Sequence, residues 1–219
     1  MPPSPHPPGR HTSPPALRRL RAADARRVPW RNGRGVTEEL ALAPPGASFE
    51  RGDFDWRIAR AAVEEAGPFS AFPGFERVLV VVQGAGLLLE HGAAAPPARV
   101  TPLVPYRFSG DWATTATPLD GPVADFNVLA RRGVVRADVE ILRPVAPLLH
   151  EWPGDGDFLV HVLSGTLALR GVGAGGGPTL RLQPRESLWT SAGARVELLD
   201  AARGTLALCV RLQRAPGAA

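Results

Sequence analysis

A long segment of this chain is written twice. The run Arg77-Val78-Leu79-Val80-Val81-Val82-Gln83-Gly84-Ala85-Gly86-Leu87-Leu88-Leu89 is similar to Phe158-Leu159-Val160-His161-Val162-Leu163-Ser164-Gly165-Thr166-Leu167-Ala168-Leu169-Arg170, with Gly84 and Gly165 standing 81 residues apart. Downstream, Pro102 to Phe108 is echoed by Pro184 to Trp189 at nearly the same displacement. Each copy reads as a strand, a glycine turn, a second strand, a loop, and a proline turn leading into another strand. A repeat this long is a duplicated domain rather than a solenoid unit. Its glycine stands where a hairpin reverses with positive φ.

The remainder of the chain follows the same style. Val36 to Leu42 alternates and ends at Pro44-Pro45-Gly46. Phe54 to Val63 is a strand candidate with Trp56, Ile58 and Arg60 on one side and Arg57, Ala59 and Ala61 on the other. A helix over Arg57 to Ala66 is a rival reading from alanine propensity alone. Further strands are expected over Arg77 to Val82, Leu87 to Glu90, Val100 to Phe108, Ala113 to Pro118 and Pro122 to Ala130. Short strands at this spacing, separated by Gly, Pro and Asp, suggest a sandwich or barrel. The glycine-rich stretch Gly171 to Gly177 lacks a following helix pattern and a Lys-Ser/Thr pair, so it is a loop rather than a phosphate cradle.

Composition narrows the functional classes. Hydrophobic residues are 44% of the 219, enough for a sizeable core. No apolar run approaches the roughly 20 residues of a membrane-spanning helix, and the Pro-rich N-terminus has no apolar stretch of signal-peptide type, so a soluble, cytoplasmic protein is expected. All 25 basic residues are arginines, but six of them lie within residues 1–27 beside a single acidic residue, Asp24. With a chain total of +4, the remainder carries about −1. A nucleic-acid-binding domain shows a basic face, and this one has no excess charge to supply it. Residues 1–27 are expected to be a flexible Pro/Arg-rich tail, disordered at first and with at most a short basic helix over 16–27. Such a tail is a solvated extension or an over-called start.

Four sequence blocks resemble the HutD/Ves family, in that family's order: Trp30-Arg31-Asn32-Gly33-Arg34-Gly35-Val36-Thr37-Glu38-Glu39-Leu40, Asp53-Phe54-Asp55-Trp56-Arg57-Ile58-Ala59, Gly67-Pro68-Phe69-Ser70-Ala71-Phe72-Pro73-Gly74-Phe75-Glu76-Arg77, and Asp125-Phe126-Asn127-Val128-Leu129. The similarity spans about residues 28–212. It implies an all-β double cupin, two jelly-roll-like barrels from an internal duplication with ligands in the barrel mouth. The first barrel is expected over 28–140. The second is expected over 141–214, packed with the first as one bicupin unit. The resemblance further implies a role in histidine utilisation and the binding of a pathway metabolite such as an N-formylated acid.

Many cupins hold a metal through His-x-His followed by Glu about six residues before the turn glycine. Here that Glu position is near Arg77, and the His positions fall near Ser70 and Phe72. A guanidinium cannot ligate a metal and Phe has no donor atom. The five histidines, His6, His11, His91, His150 and His161, form no pair at ligand spacing. No metal and no cofactor are therefore expected. His161 reads as a core-strand histidine with a satisfied hydrogen bond, and Cys209, the only cysteine, as a small core residue.

What stands in place of a metal site is arginine. Arg57 beside Trp56, and Arg77 beside Phe69, Phe72 and Phe75, suit a carboxylate pocket because the planar guanidinium fork pairs with an acid through two bonds. The competing role for each is an outward salt bridge. Thr37 and Glu39 share one strand face, as do Asp125 and Asn127. Asn127 could read a carbonyl or formyl oxygen, while Glu39 or Asp125 either orients an arginine or serves as a base. Trp30 and Asn32 either line the mouth or anchor the first strand. Phe72, with Phe69, Phe108 and Trp112, is core or pocket wall. The expected ligand-binding set is thus Trp30, Asn32, Thr37, Glu39, Arg57, Phe72, Arg77, Asp125 and Asn127. The expected function is metal-independent binding of a small acid by a protein that modulates amino-acid catabolism. The alternative is a metal-free isomerase or hydrolase with a carboxylate base. A small-molecule acid is the expected partner, with no nucleic acid and no membrane, and a homodimer is compatible with the fold.

Overall fold

A computed structural model describes residues 17–29, 35–144, 156–172, 178–191 and 194–216, and the backbone of 150–152. Residues 1–16 of the expected tail, and Trp30 and Asn32, lie outside the described residues. The strands, in chain order, begin with β1 (Leu17–Leu20), β2 (Arg26–Pro29), β3 (Val36–Ala43), β4 (Trp56–Val63), β5 (Gly67–Pro68), β6 (Phe75–Gln83) and β7 (Leu87–Glu90). Then come β8 (Ala98–Val100), β9 (Tyr106–Ser109), β10 (Thr115–Pro118), β11 (Val123–Arg131), β12 (Val135–Leu142) and β13 (His150–Trp152). The last are β14 (Asp157–Ser164), β15 (Leu167–Val172), β16 (Thr179–Leu182), β17 (Ser187–Thr190), β18 (Arg195–Ala201) and β19 (Leu206–Arg214). Among the described residues the helical content is one short 3-10 turn, Ala22–Asp24.

The strands form four sheets. In the first half the six-stranded sheet β2-β3-β4-β11-β6-β9 packs on the four-stranded sheet β5-β10-β7-β8. Val63, Leu79, Val81 and Val123 from one meet Leu87, Leu89, Val100 and Ala116 from the other. In the second half β1-β17-β14-β19-β12 packs on β13-β18-β15-β16, with Phe158, Val160 and Val162 against Leu167, Leu169 and Leu182. The outer faces of the two large sheets then pack on each other. Trp56, Ile58, Val80 and Phe126 meet Leu159, Leu208, Val210 and Leu212. Burying each such side chain contributes about 1.5–3 kcal/mol, so the two barrels are held as one unit.

The duplication is visible in detail. Gly84 and Gly165 turn their hairpins with φ of 96° and 73°. A Cβ at Gly84 would stand 2.7 Å from the Pro122 carbonyl oxygen, and one at Gly165 would stand 2.3 Å from Thr205 Oγ1. Each turn therefore abuts the chain entering the next long strand, and only glycine fits. The strand entering each turn carries a matching irregularity just before the glycine, where β11 shifts register against β6 between Ala124 and Asp125 and β14 shifts against β19 between Val162 and Ser164.

The structure corrects the sequence reading in three places. Residues 17–27 are not a tail. β1 pairs with β17, Leu20 is only 6% exposed in the core between the barrels, and β2 pairs with β3. The second barrel does not begin at 141, because β12 (Val135–Leu142) already pairs with β19. The strand expected over Phe54 to Val63 does form, as β4 held on both sides by β3 and β11, and the rival helix over Arg57 to Ala66 does not. The single strand over Val100 to Phe108 is two, β8 and β9, parted by a turn with Leu103 at φ 60°.

Candidate functional site

In the first barrel β3, β4, β11 and β6 lie side by side, and their registers align three rows of residues. Leu42, Arg57, Leu129 and Arg77 form one row, Glu39, Ala59, Asn127 and Leu79 the next, and Thr37, Ala61, Asp125 and Val81 the third. Residues directly opposite in an antiparallel sheet point to the same side, and so do residues two apart. Because Leu79 and Val81 face the barrel interior, Glu39, Arg57, Arg77, Asp125 and Asn127 face it too. The sequence pairs Thr37/Glu39 and Asp125/Asn127 thus both point inward.

Two ionic arrangements result. Arg57, 6% exposed, donates from Nε to Glu39 Oε2 at 2.7 Å, and its guanidinium carbon lies 4.1 Å from the centre of the Phe49 ring. Arg77, 7% exposed, donates from Nε to Asn127 Oδ1 at 2.9 Å. Its guanidinium carbon lies over Phe69 at 4.5 Å and Phe108 at 5.2 Å, with Phe72 at 5.9 Å. Cations over ring faces are stabilised by the ring quadrupole, more so when desolvated. The chain of contacts continues from Asn127 Nδ2 to Asp125 Oδ1. Asp125 is 1% exposed, and its Oδ2 has no partner among the described residues.

Desolvation sets the protonation of this group. Burial pushes the Asp125 carboxyl up to about 7, against the attraction of Arg77 and a backbone N–H from Ala61. Burial likewise brings the Arg77 guanidinium down to about 10, offset by Asp125. Burial lowers Arg57 as well, with Glu39 acting in the opposite direction. Both arginines remain cations at neutral pH.

The second barrel shows that the scaffold does not require these charges. By register, Val162–Ala207, Val160–Cys209 and Phe158–Arg211 stand where Val81–Asp125, Leu79–Asn127 and Arg77–Leu129 stand in the first. Phe158, Cys209 and Ala207 thus replace Arg77, Asn127 and Asp125, and all three are buried core. Cys209 is 1% exposed, and burial drives its thiol well above the usual range. Buried charge is expensive to maintain relative to such packing. Among the described residues such charge is buried in the first barrel alone, which makes that interior the candidate site.

His161 faces the inter-barrel layer instead, 5.5 Å from the Phe126 ring, with Nδ1 at 2.8 Å from Ser187 Oγ. Burial first, then Arg60 and Arg185, brings it down to about 3, so it is neutral. The expected satisfied hydrogen bond is there at Nδ1, while Nε2 has no partner among the described residues. Sequence reading did not find Phe49, which sits in the turn-rich connection before β4 where no strand period marks its direction. It also passed over His91, 1% exposed, which joins Thr114 Oγ1 at 2.9 Å and Tyr106 Oη at 3.0 Å and packs on Phe108. Among the described residues no group of three or more His, Cys, Asp or Glu is placed to hold a metal ion. Arg77, Ser70 and Phe72 stand near the positions where the cupin pattern places its Glu and two His, and a guanidinium and a phenyl group do not fit a metal site there. Nor is any described helix long and apolar enough to cross a membrane.

Two fused barrels, one with buried charges in its interior and one whose described interior is mainly apolar, define a double cupin. The chain belongs to the HutD family, whose model matches residues 22–208. A 21.2 kDa protein in the hutC 3′ region of Pseudomonas putida is 39% identical over 114 residues, which is 52% of this chain and 57% of that relative. The matched stretch is thus less than two thirds of that relative's length. A conserved protein of unknown function from Pseudomonas aeruginosa PAO1 is 30% identical with a TM-score of 0.76, covering 90% of this chain and 99% of that one. HutD from Pseudomonas fluorescens SBW25, solved in a formate condition, is 25% identical with a TM-score of 0.72, covering 91% and 99%. The family is linked to histidine utilisation by its name and by the gene neighbourhood of the P. putida relative.

Proposed function

We propose that this chain binds a small carboxylate or N-formylated acid inside its first barrel, without a metal, and thereby modulates amino-acid catabolism, histidine breakdown first. The observation that carries this reading is the pair of buried arginines, Arg57 and Arg77, on one row of the inner face. Their forks are oriented by Glu39 and Asn127 through Nε, which leaves the terminal nitrogens as the natural donors to a carboxylate. A HutD relative has been solved in a formate condition, which makes formate the first small acid to try. Asn127, Glu39 and Asp125 position the arginines, Phe49, Phe69 and Phe72 wall them, and Thr37 extends the polar row.

The test is a thermal-shift series with formate, N-formyl-glutamate, urocanate, glutamate and histidine, with and without EDTA. A dose-dependent rise with one acid, unchanged by EDTA and lost in Arg57→Ala, is expected, because a ligand that binds only the folded state stabilises it. A panel without any shift refutes the reading. One observation favours a second reading, a metal-free isomerase or hydrolase. Asp125 has a carboxyl at about 7 and a free oxygen, the properties of a general base at neutral pH, whereas Glu39 is committed to Arg57. Turnover of one of these compounds, abolished in Asp125→Asn with the fold intact, would establish it.

A further inference from the structure

The inner face of the first barrel has a charge balance that an anion would upset. Arg57 and Arg77 supply two positive charges, Glu39 and Asp125 supply two negative ones when both are ionised, and at the exposed rim Arg26, 4.0 Å from Glu39, is paired with Glu50. A carboxylate entering that interior would leave a net negative charge where desolvation makes it costly. Resting on the reading that this pocket binds an acid, we propose that it takes up the anion together with one proton, held on Oδ2 of Asp125. The ligand's carboxylate then accepts a hydrogen bond from Asp125 instead of facing a second anion.

The geometry assigns the proton to that atom. Asp125 Oδ1 accepts from Asn127 Nδ2, and Asn127 Oδ1 accepts from Arg77 Nε, so the amide is locked in one orientation between cation and carboxyl. Oδ2 remains, 1% exposed as a residue and without a partner among the described residues. A buried acceptor left unpaired is costly, whereas a protonated Oδ2 becomes a donor for an incoming oxygen. Among the described residues around the site, none competes with Asp125 for the proton. Arg77 on β6 and Arg57 on β4 stay charged, Arg60 on β4 lies on the opposite face of the sheet, and Glu39 on β3 is held by Arg57. Across the barrel Leu87, Leu89, Val100 and Ala116 are apolar. His91 and Tyr106 lie beyond Phe108, hydrogen-bonded to one another, and burial holds both in their neutral forms. The carboxyl's free-state value of about 7 places the coupling in the neutral range. The second barrel, with Ala207 at the position of Asp125, has no such device.

The test is isothermal titration calorimetry of the full chain with formate and with N-formyl-glutamate, both ionised above pH 6. At pH 8, phosphate and Tris, buffers of different ionisation enthalpy, report the protons taken up. Uptake approaching one proton per ligand is expected, with wild-type affinity falling about tenfold per pH unit above 7 and about thirtyfold by pH 8.5. Asp125→Asn, whose amide donates as the protonated carboxyl would, is expected to bind without proton uptake and with no pH dependence. Wild-type binding with no proton uptake and a flat pH profile overturns the proposal, whatever the variant does. So does a folded Asp125→Asn chain that binds neither probe when wild type binds both. Absence of binding by either probe at any pH would instead overturn the acid-binding reading itself.

Discussion

Replacing Asp125 with asparagine should make this protein more stable above neutrality, although it removes a charged group from an ion network. The carboxyl is 1% exposed and its folded-state value is raised from 3.8 to about 7, chiefly by burial. A raised value means that the folded state favours the protonated form. The stability this confers is complete below about 3.8, falls as the pH rises toward 7, and is gone above it. At about 1.4 kcal/mol per pH unit, the loss across that interval is at most about 4 kcal/mol. Asparagine keeps an oxygen for the Asn127 amide and cannot ionise, so the variant escapes the loss. Other titrating groups are common to both chains and cancel in the difference. Thermal unfolding of wild type and variant should therefore diverge between pH 4 and pH 7 in the variant's favour, then run parallel above. For a chain of this length, 1 kcal/mol corresponds to about 2–4 °C, which sets the divergence at roughly 10 °C. A difference that stays constant from pH 4 to pH 8 would refute the assignment of a strongly desolvated Asp125.

Other consequences follow from the same structure. Arg57→Ala should cost roughly 3 kcal/mol in denaturant unfolding, because it leaves a Glu39 side chain that is only 12% exposed with no cation but the exposed Arg26 at 4.0 Å; the double variant Arg57→Ala/Glu39→Ala should recover part of that, and a single variant as stable as wild type would contradict the pairing. Gly165→Ala should lower the melting temperature by several degrees, since the left-handed backbone costs about 1–3 kcal/mol and Thr205 already occupies the space. A neutral outcome would mean that the hairpin turn is not as tight as the contact implies. Cys209 should resist Ellman's reagent until the chain unfolds, because the thiol is buried and held protonated. Prompt labelling of the native protein would show an open second barrel.

How much of the site was legible varies with the residue. Arg57 and Arg77 could be found because arginine is out of place in strand patterns flanked by aromatics, and a two-residue period put Asp125 with Asn127 and Thr37 with Glu39. That period defines two faces of a strand without saying which one is inside. The same alternation that turns Arg77 inward turns His161 outward, toward the other barrel. In the linear repeat Arg77 aligns with Phe158, but only the pairing of β11 with β6 and of β19 with β14 shows Asp125 and Asn127 matched by Ala207 and Cys209. β1 was missed for a related reason. Leu17–Leu20 has no period of its own, and its partner β17 lies some 170 residues away.

The sequence by itself therefore determined the all-β class, the duplication, the two glycine turns and the presence of arginine on barrel strands. These depend on local patterns, namely alternation, turn chemistry and a repeated order of elements. Only the tertiary structure decided which barrel carries charge, that Glu39 orients Arg57, that residues 17–20 complete the second barrel, and that Asp125 is buried deeply enough to hold a proton near neutral pH. Those properties belong to what surrounds a side chain once distant strands have met, because desolvation and ion pairing are fixed by neighbours that the linear order does not place together.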